Sequence, residues 1–341
     1  MGSAERIGMK TLISCLSVVV FALPLIAAEA DHYSKANLPL PDSAEIINTK
    51  ANRFLRQGLD ELNQKSECSD SVKSELELYE KLRDYFANHS RGQLVIDILH
   101  DETVPSRVIP KGESIYGGWG IGDGFLLGRP GAEKSQLGLM PLIRIGEVSV
   151  GVDKLEHMFG MGLIYHKRHN VKGDSLTDVL KNGIFREKTV LGGNMLATGV
   201  FSYGDLSANF NGMRFWNHML LKKDDVLGAS HNLGPYVKCE AGRWKPTLVE
   251  IDFRNYVDHS MDESVNCRKL ATKNGVEKSK KAMADRGFGI DTCPSNSEVL
   301  ALMYSKYNVP VKGDSQGRTI SHWIINLKGM GKVKYFGEFK K

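Results

Sequence analysis

Several familiar signals are missing from this chain, and each absence narrows what it can be. Cysteine is limited to five positions in 341 residues. No two of them stand as a C-x2-4-C pair, so the common structural zinc sites are excluded. Beyond the N-terminal apolar run there is no second stretch of about 20 apolar residues, so no further bilayer span is predicted. Lys and Arg nowhere cluster with interleaved aromatics, which argues against a nucleic-acid partner. The glycines of Gly117-Gly118-Trp119-Gly120-Ile121-Gly122-Asp123-Gly124 lack the spacing and the strand-to-helix setting of a dinucleotide loop. They read as a loop or hairpin, and no cofactor is expected. No segment repeats, which removes solenoids and propellers. Acids are missing altogether from Lys188 to Gly199.

What is present first points to export. Arg6 and Lys10 precede an apolar region from Leu12 to Leu25, and Ala28-Glu29-Ala30 forms an A-x-A cleavage signal. Residues 1–30 read as a signal peptide, with a mature start at Asp31 and no stable transmembrane anchor after cleavage. Cys15 leaves with it. Cys68, Cys239, Cys267 and Cys293 remain, an even number that implies two disulfides in an oxidising compartment. Cys267–Cys293 is the favoured bridge because its short loop brackets a basic helix. The expected location is periplasmic or secreted. A mature chain of about 310 residues can hold a full core. The formal net charge of +5 suits an anionic partner such as a cell wall or lipid head group.

Residues 31–42 read as a mobile leader and 43–92 as an N-terminal helical hairpin, its second helix capped by Ser69 or Asp70. The remainder, 93–341, reads as one main domain with its core at 150–290. Apolar residues at threes and fours predict helices over 43–65, 153–168, 175–185 and 202–222, with others at 262–285 and 296–307. Segments 94–100, 106–110, 247–253 and 320–339 look β-like, and 137–150 reads as a hairpin turning at Gly146-Glu147. The fold class is α+β and predominantly α-helical, with small β-hairpins.

The chemistry-bearing residues concentrate between Asp153 and Trp216. Asp153 and His157 lie four apart and share a helix face. They form either an acid–base pair, with the carboxylate fixing the imidazole tautomer, or a cap and a buried histidine. Glu187 ends a helix before the acid-free segment, where Val190, Leu191, Met195 and Leu196 could wall an apolar site. A catalytic acid needs such surroundings to keep its proton, although Arg186 and Lys188 favour the charged form. Ser202-x-x-Asp205 is a capping box with Asp in place of Glu. Tyr203 and Asn209 could hydrogen-bond a sugar, and Trp119 could stack on one. Asp258, Asp262 and Glu263 could supply the second carboxylate that hydrolysis uses; the preferred reading places Asp262 and Glu263 in the first turn of a helix. His166 and His169 read as a solvated helix end, and no metal site is expected.

A resemblance runs through these residues. Asp153-Lys154-x-x-His157-x-Phe159, Thr198-Gly199-Val200-x-Ser202-Tyr203-x-Asp205-Leu206-x-Ala208-Asn209 and Gly212-x-x-Phe215-Trp216 resemble a group of poorly characterised exported proteobacterial proteins. Tyr256-Val257-Asp258 and Asp262-Glu263-x-x-Asn266 belong to the same pattern. It covers about the middle third of the chain and implies a shared fold and export. More distantly, Glu187 at a helix end before a hairpin and a second helix resembles lysozyme-superfamily glycosidases. That likeness implies a lysozyme-like helical core and a glycosidase acting on peptidoglycan or a related cell-wall polysaccharide. Glu187 would be the general acid, with Asp205 or Thr198 positioning water and Tyr203, Asn209 and Trp119 holding sugar. The chain departs from many phage-type members in having no hairpin Asp before Asp205. The alternative is a non-catalytic periplasmic or surface binding protein.

Overall fold

The structure is a computed structural model that describes residues 28–34, 38–87, 92–135, 137–287 and 293–334. The fold is mixed α+β, with 46% helix and 11% strand.

The chain enters the described region already buried. Glu29–Ala30 forms a short strand, β1, and Asp31, His32, Tyr33 and Ser34 follow it into the interior. Asp31 is fixed by accepting from the Ile115 N–H at 2.9 Å. The expected leader is therefore packed at its start, and the A-x-A triplet lies inside the fold. Residues 1–27, which carry the rest of the expected signal peptide, lie outside the described residues.

Helix α1, Ala44–Asn63, buries Ile47, Ala51, Phe54, Leu55, Leu59 and Leu62 along one stripe. That stripe packs on α2, Val72–Phe86, whose N-cap is Ser71 rather than Ser69 or Asp70; its hydroxyl accepts from the Ser74 N–H. Helix α3, Gln93–His100, replaces the β-like reading there. Leu94, Val95 and Ile98 are its buried residues, at helical spacing, and it packs on both earlier helices. The first core cluster therefore reaches well outside 150–290.

Strand β2 (Ser106–Arg107) joins β4 (Leu142–Ile145) and β5 (Val148–Gly151) in an antiparallel sheet, while β3 (Leu139–Met140) pairs in parallel with β1. The hairpin turns at Gly146-Glu147 as expected, with Gly146 at φ 61°, which favours glycine. Helix α4, Val152–His166, follows directly and runs into a π-helical turn at Lys167–Val171. Helix α5, Leu176–Thr189, strand β6, Val200–Phe201, and helix α6, Tyr203–Leu220, complete the segment around the site.

Helices α4 and α6 cross at near backbone contact. A Cβ at Gly212 would lie 1.9 Å from the Met158 carbonyl oxygen, and one at Gly162 would lie 2.6 Å from Gly212 Cα. The Trp216 indole N–H donates to the Phe159 carbonyl at 2.9 Å. This crossing fixes how the first turns of the two helices face each other.

Later, β7 (Val237–Glu240) and β8 (Arg243–Pro246) form a hairpin ahead of the expected 247–253. Its turn residues Ala241 and Gly242 both have positive φ. Strand β9, Lys269–Leu270, sits between β6 and the final β10, Gly331–Lys332. Helices α7 (Lys273–Ala284) and α8 (Ser297–Lys306) match two expected segments, though α7 starts later than 262. Ile320–Ile324 is a short helix, α9, where strand was expected; 335–341 lie outside the described residues. The disulfides are Cys68–Cys239 and Cys267–Cys293, the second being the favoured bridge.

Candidate functional site: a buried carboxylate centre

The first turns of α4 and α6 meet around one ammonium group. Lys154 Nζ lies 2.6 Å from Asp153 Oδ2, 2.6 Å from Asp205 Oδ1 and 2.9 Å from Glu263 Oε1, and all four side chains are fully buried. Helix α6 is capped as its sequence suggests, with the Ser202 hydroxyl accepting from the Asp205 N–H at 2.8 Å. Asp205 does not close the capping box, because Lys154 and His157 hold its carboxylate. Glu187, at the end of α5, reaches the Ser202 N–H instead, at 3.4 Å.

His157 stands one turn further along α4. Its Nε2 is 3.1 Å from Asp205 Oδ2 and its Nδ1 is 3.1 Å from Asn209 Oδ1. Of the two readings of Asp153 and His157, the acid–base pair does not form, because Asp153 turns to the ammonium of Lys154, while His157 is the buried, hydrogen-bonded histidine of the other. Nor does Asp153 cap the helix; that position is Gly151.

A second layer comes from distant segments. Arg268 pairs with Glu263 and donates to the Ala30 carbonyl at 3.0 Å. His32 Nε2 accepts from the Gly151 N–H at 3.2 Å, while its Nδ1 is 3.7 Å from Glu263 Oε2. Thr198 donates to Glu29 Oε1 at 2.9 Å. Glu29 and Glu187 flank the same glycine: a Cβ at Gly192 would lie 2.9 Å from Glu29 Oε1 and 3.0 Å from Glu187 Oε1.

Five carboxylates, Glu29, Asp153, Glu187, Asp205 and Glu263, thus surround two permanent cations, Lys154 and Arg268. The imbalance appears in their titration. Burial first, and repulsion from Asp205 second, raise Glu187 well above the ordinary carboxylate range. Burial and Glu263 do the same to Glu29. Glu263 is pushed up to about 7, burial being the main cause. For Lys154, burial opposes the charge, but Asp153, Asp205 and Glu263 together outweigh it and hold the ammonium protonated. His32 is driven well below its usual value by burial and by Lys154 and Arg268. Desolvation costs and ion-pair gains of this size offset one another, which makes the centre sensitive to removal of any one member.

The fold brings Glu187, Thr198, Asp205, Asn209, Asp153 and His157 into one centre. It leaves out two expected sugar contacts. Trp119 is buried, donates its indole N–H to Ser279 on α7 at 3.0 Å, and packs edge-on with Tyr116. It anchors its loop and does not face solvent. Tyr203 is buried in the second core cluster with its ring edge-on to Phe201. His166 is also no solvated group: it lies buried against Tyr79, and burial lowers it to about 3. Glu263 belongs to the centre rather than to a helix first turn, while Asp258 bonds Ser260, Lys306 and Tyr307. Lys154, Arg268, Glu29 and His32 were not identified from their local sequence, since each finds its partners through the tertiary fold.

The chain matches no protein-family model, and no curated protein or solved structure is significantly similar to it. The two disulfides fit an extracytoplasmic protein. Among the described residues no helix is long and apolar enough to cross a membrane.

Proposed function

We propose that this is an exported, non-catalytic binding protein of the cell envelope, periplasmic or secreted, with the carboxylate centre as the buried keystone of its fold. The observation that carries the reading is the enclosure of Glu187, which is 0% exposed. A general acid must reach the glycosidic oxygen of its substrate, and a polymer chain has no route to a side chain so enclosed without the loops opening.

The binding face would be the pair of loops above the centre. Phe125 N–H donates to the Met195 carbonyl at 2.8 Å and Leu126 N–H to that of Ala197 at 3.0 Å, so the two loops run side by side. Ile121, Phe125, Val190, Met195 and Leu196 are exposed on them, Leu196 by 86%. Grouped exposed apolar side chains mark interaction sites, and Arg129 stands 4.1 Å over the Phe125 ring. The net charge of +5 suits an anionic wall polymer.

A peptidoglycan-acting glycosidase is the second reading. It is favoured by the raised Glu187 carboxyl beside Asp205, with Thr198 on the intervening loop. Sedimentation with purified sacculi tests the first reading. The wild type is expected to co-sediment without releasing soluble fragments, and M195D/L196D to stay in the supernatant. A wild type that never sediments would sink it; fragment release abolished by Glu187→Gln would put the glycosidase ahead.

A further inference from the structure

We propose that His157, Glu187 and Asp205 are the ligands of a divalent first-row transition-metal site, with zinc and manganese as fitting ions. This goes beyond envelope binding and stands independently of it.

The three residues come from α4, α5 and α6, and one donor atom of each lies within 4.8 Å of the others. Around an ion with bonds of about 2.1 Å, neighbouring ligand atoms sit about 3–3.5 Å apart, so small side-chain movements would close the set. One imidazole with two carboxylates is a borderline donor set, suited to such ions and not to the thiol-seeking ones.

Three observations independent of the spacing point to a cation. The first is the orientation of His157. With Asn209 Oδ1 accepting from Nδ1–H, the lone pair on Nε2 faces Asp205 Oδ2 across 3.1 Å. In that tautomer two lone pairs face each other, an arrangement that is stable only with a metal ion or a proton between them. This is also how metal-bound histidines are held, by a hydrogen bond on the far nitrogen. The second is division of labour on Asp205. Lys154 takes Oδ1, which leaves Oδ2 toward His157. The third is the presence of an unpartnered, fully buried acceptor. Glu187 Oε2, on a proposed ligand, has no hydrogen-bond partner, although buried polar oxygens are nearly always satisfied. A divalent ion would also offset the excess of Asp153, Glu187, Asp205 and Glu263 over the two permanent cations, Lys154 and Arg268.

Two arrangements compete: a His157 ring with a proton on each nitrogen, donating to Asn209 Oδ1 and to Asp205 Oδ2, and a flipped Asn209 amide, with Nδ2 donating to Nδ1 and Nε2–H donating to Asp205. Neither needs a metal, so metal content separates them from the proposed site. The full chain is stripped with chelator, equilibrated with Zn²⁺ or Mn²⁺, desalted, and examined by native mass spectrometry and thermal melting. The wild type is expected to retain one ion per chain and to melt several degrees higher with it. Glu187→Gln, which keeps the shape, is expected to lose both effects. A wild type that retains no ion overturns the proposal, and so does a Glu187→Gln variant that retains the same ion. Should that variant fail to fold, X-ray absorption on the wild type decides. A first shell of one imidazole and oxygens supports the site; sulfur or several imidazoles refutes it.

Discussion

Replacing Lys154 with Met removes the charge at the heart of the centre while keeping most of the side-chain volume. Each of its three contacts, at 2.6, 2.6 and 2.9 Å, corresponds to about 6 kcal/mol of attraction at an effective dielectric near 20. Most of that is offset by the cost of burying the ions. The loss is further limited because a carboxylate freed of Lys154 can take up a proton. From an ordinary value near 4.5, protonation at pH 7 costs about 3 kcal/mol. The expected destabilisation is therefore about 3–5 kcal/mol at pH 7, in the range for breaking a buried pair from one side. It should shrink at pH 5, where proton uptake is nearly free. Urea unfolding followed by far-UV circular dichroism at both pH values measures it. A cost below about 1 kcal/mol at pH 7, or an equal cost at both, would refute the reasoning.

Wild-type stability without added metal should itself depend on pH. Glu263 titrates near 7 in the fold against 4.5 ordinarily, so the native state binds the proton more tightly. Stability is then highest near or below pH 4.5 for this group, and falls by roughly 3 kcal/mol as pH rises to 7. Glu29 and Glu187 add to the fall, while His32 and His166, held neutral by burial, oppose it by losing stability as pH falls below about 6.5. The Glu263 contribution is therefore read as the stability difference between wild type and Glu263→Gln, and a difference that rises with pH across this window would contradict the assignment. Gly212→Ala should destabilise by about 3 kcal/mol or more through overpacking, since its Cβ meets the Met158 carbonyl; an unchanged melting temperature would refute the α4–α6 crossing. Thiol titration of denatured, unreduced protein should find no free thiol among Cys68, Cys239, Cys267 and Cys293, and finding four would contradict both bridges.

Much of the site was legible because its residues sit at helix ends with strong local signals. Ser202 and Asp205 open α6 with a capping pattern, Glu187 closes α5 before an acid-free loop, and Asn209 lies one turn beyond Asp205. The two helices were readable from periodicity, and the Gly146 hairpin from its turn. The partners that complete the charge network were not. Lys154 looks like any lysine at a helix start, and its burial follows from the α4–α6 crossing at Gly162 and Gly212. Glu263 was readable as one of three candidate carboxylates, but it and Arg268 arrive across a loop from a distant segment, so no spacing links them to Glu187. Glu29 falls in the A-x-A triplet, and its burial beside Thr198 is set by tertiary packing that the triplet does not signal. Helix α3 was misread because eight residues of Leu, Val and Ile carry strand propensity as well as helical spacing.

The most direct test of the central claim, that Glu187 is an enclosed structural carboxylate and not a proton donor to substrate, is digestion of purified sacculi by the wild-type protein. The account predicts sedimentation with the wall and no soluble fragments, with Glu187→Gln behaving identically in this assay. Steady fragment release by the wild type, falling by about 10²-fold or more in Glu187→Gln at unchanged fold, would contradict it.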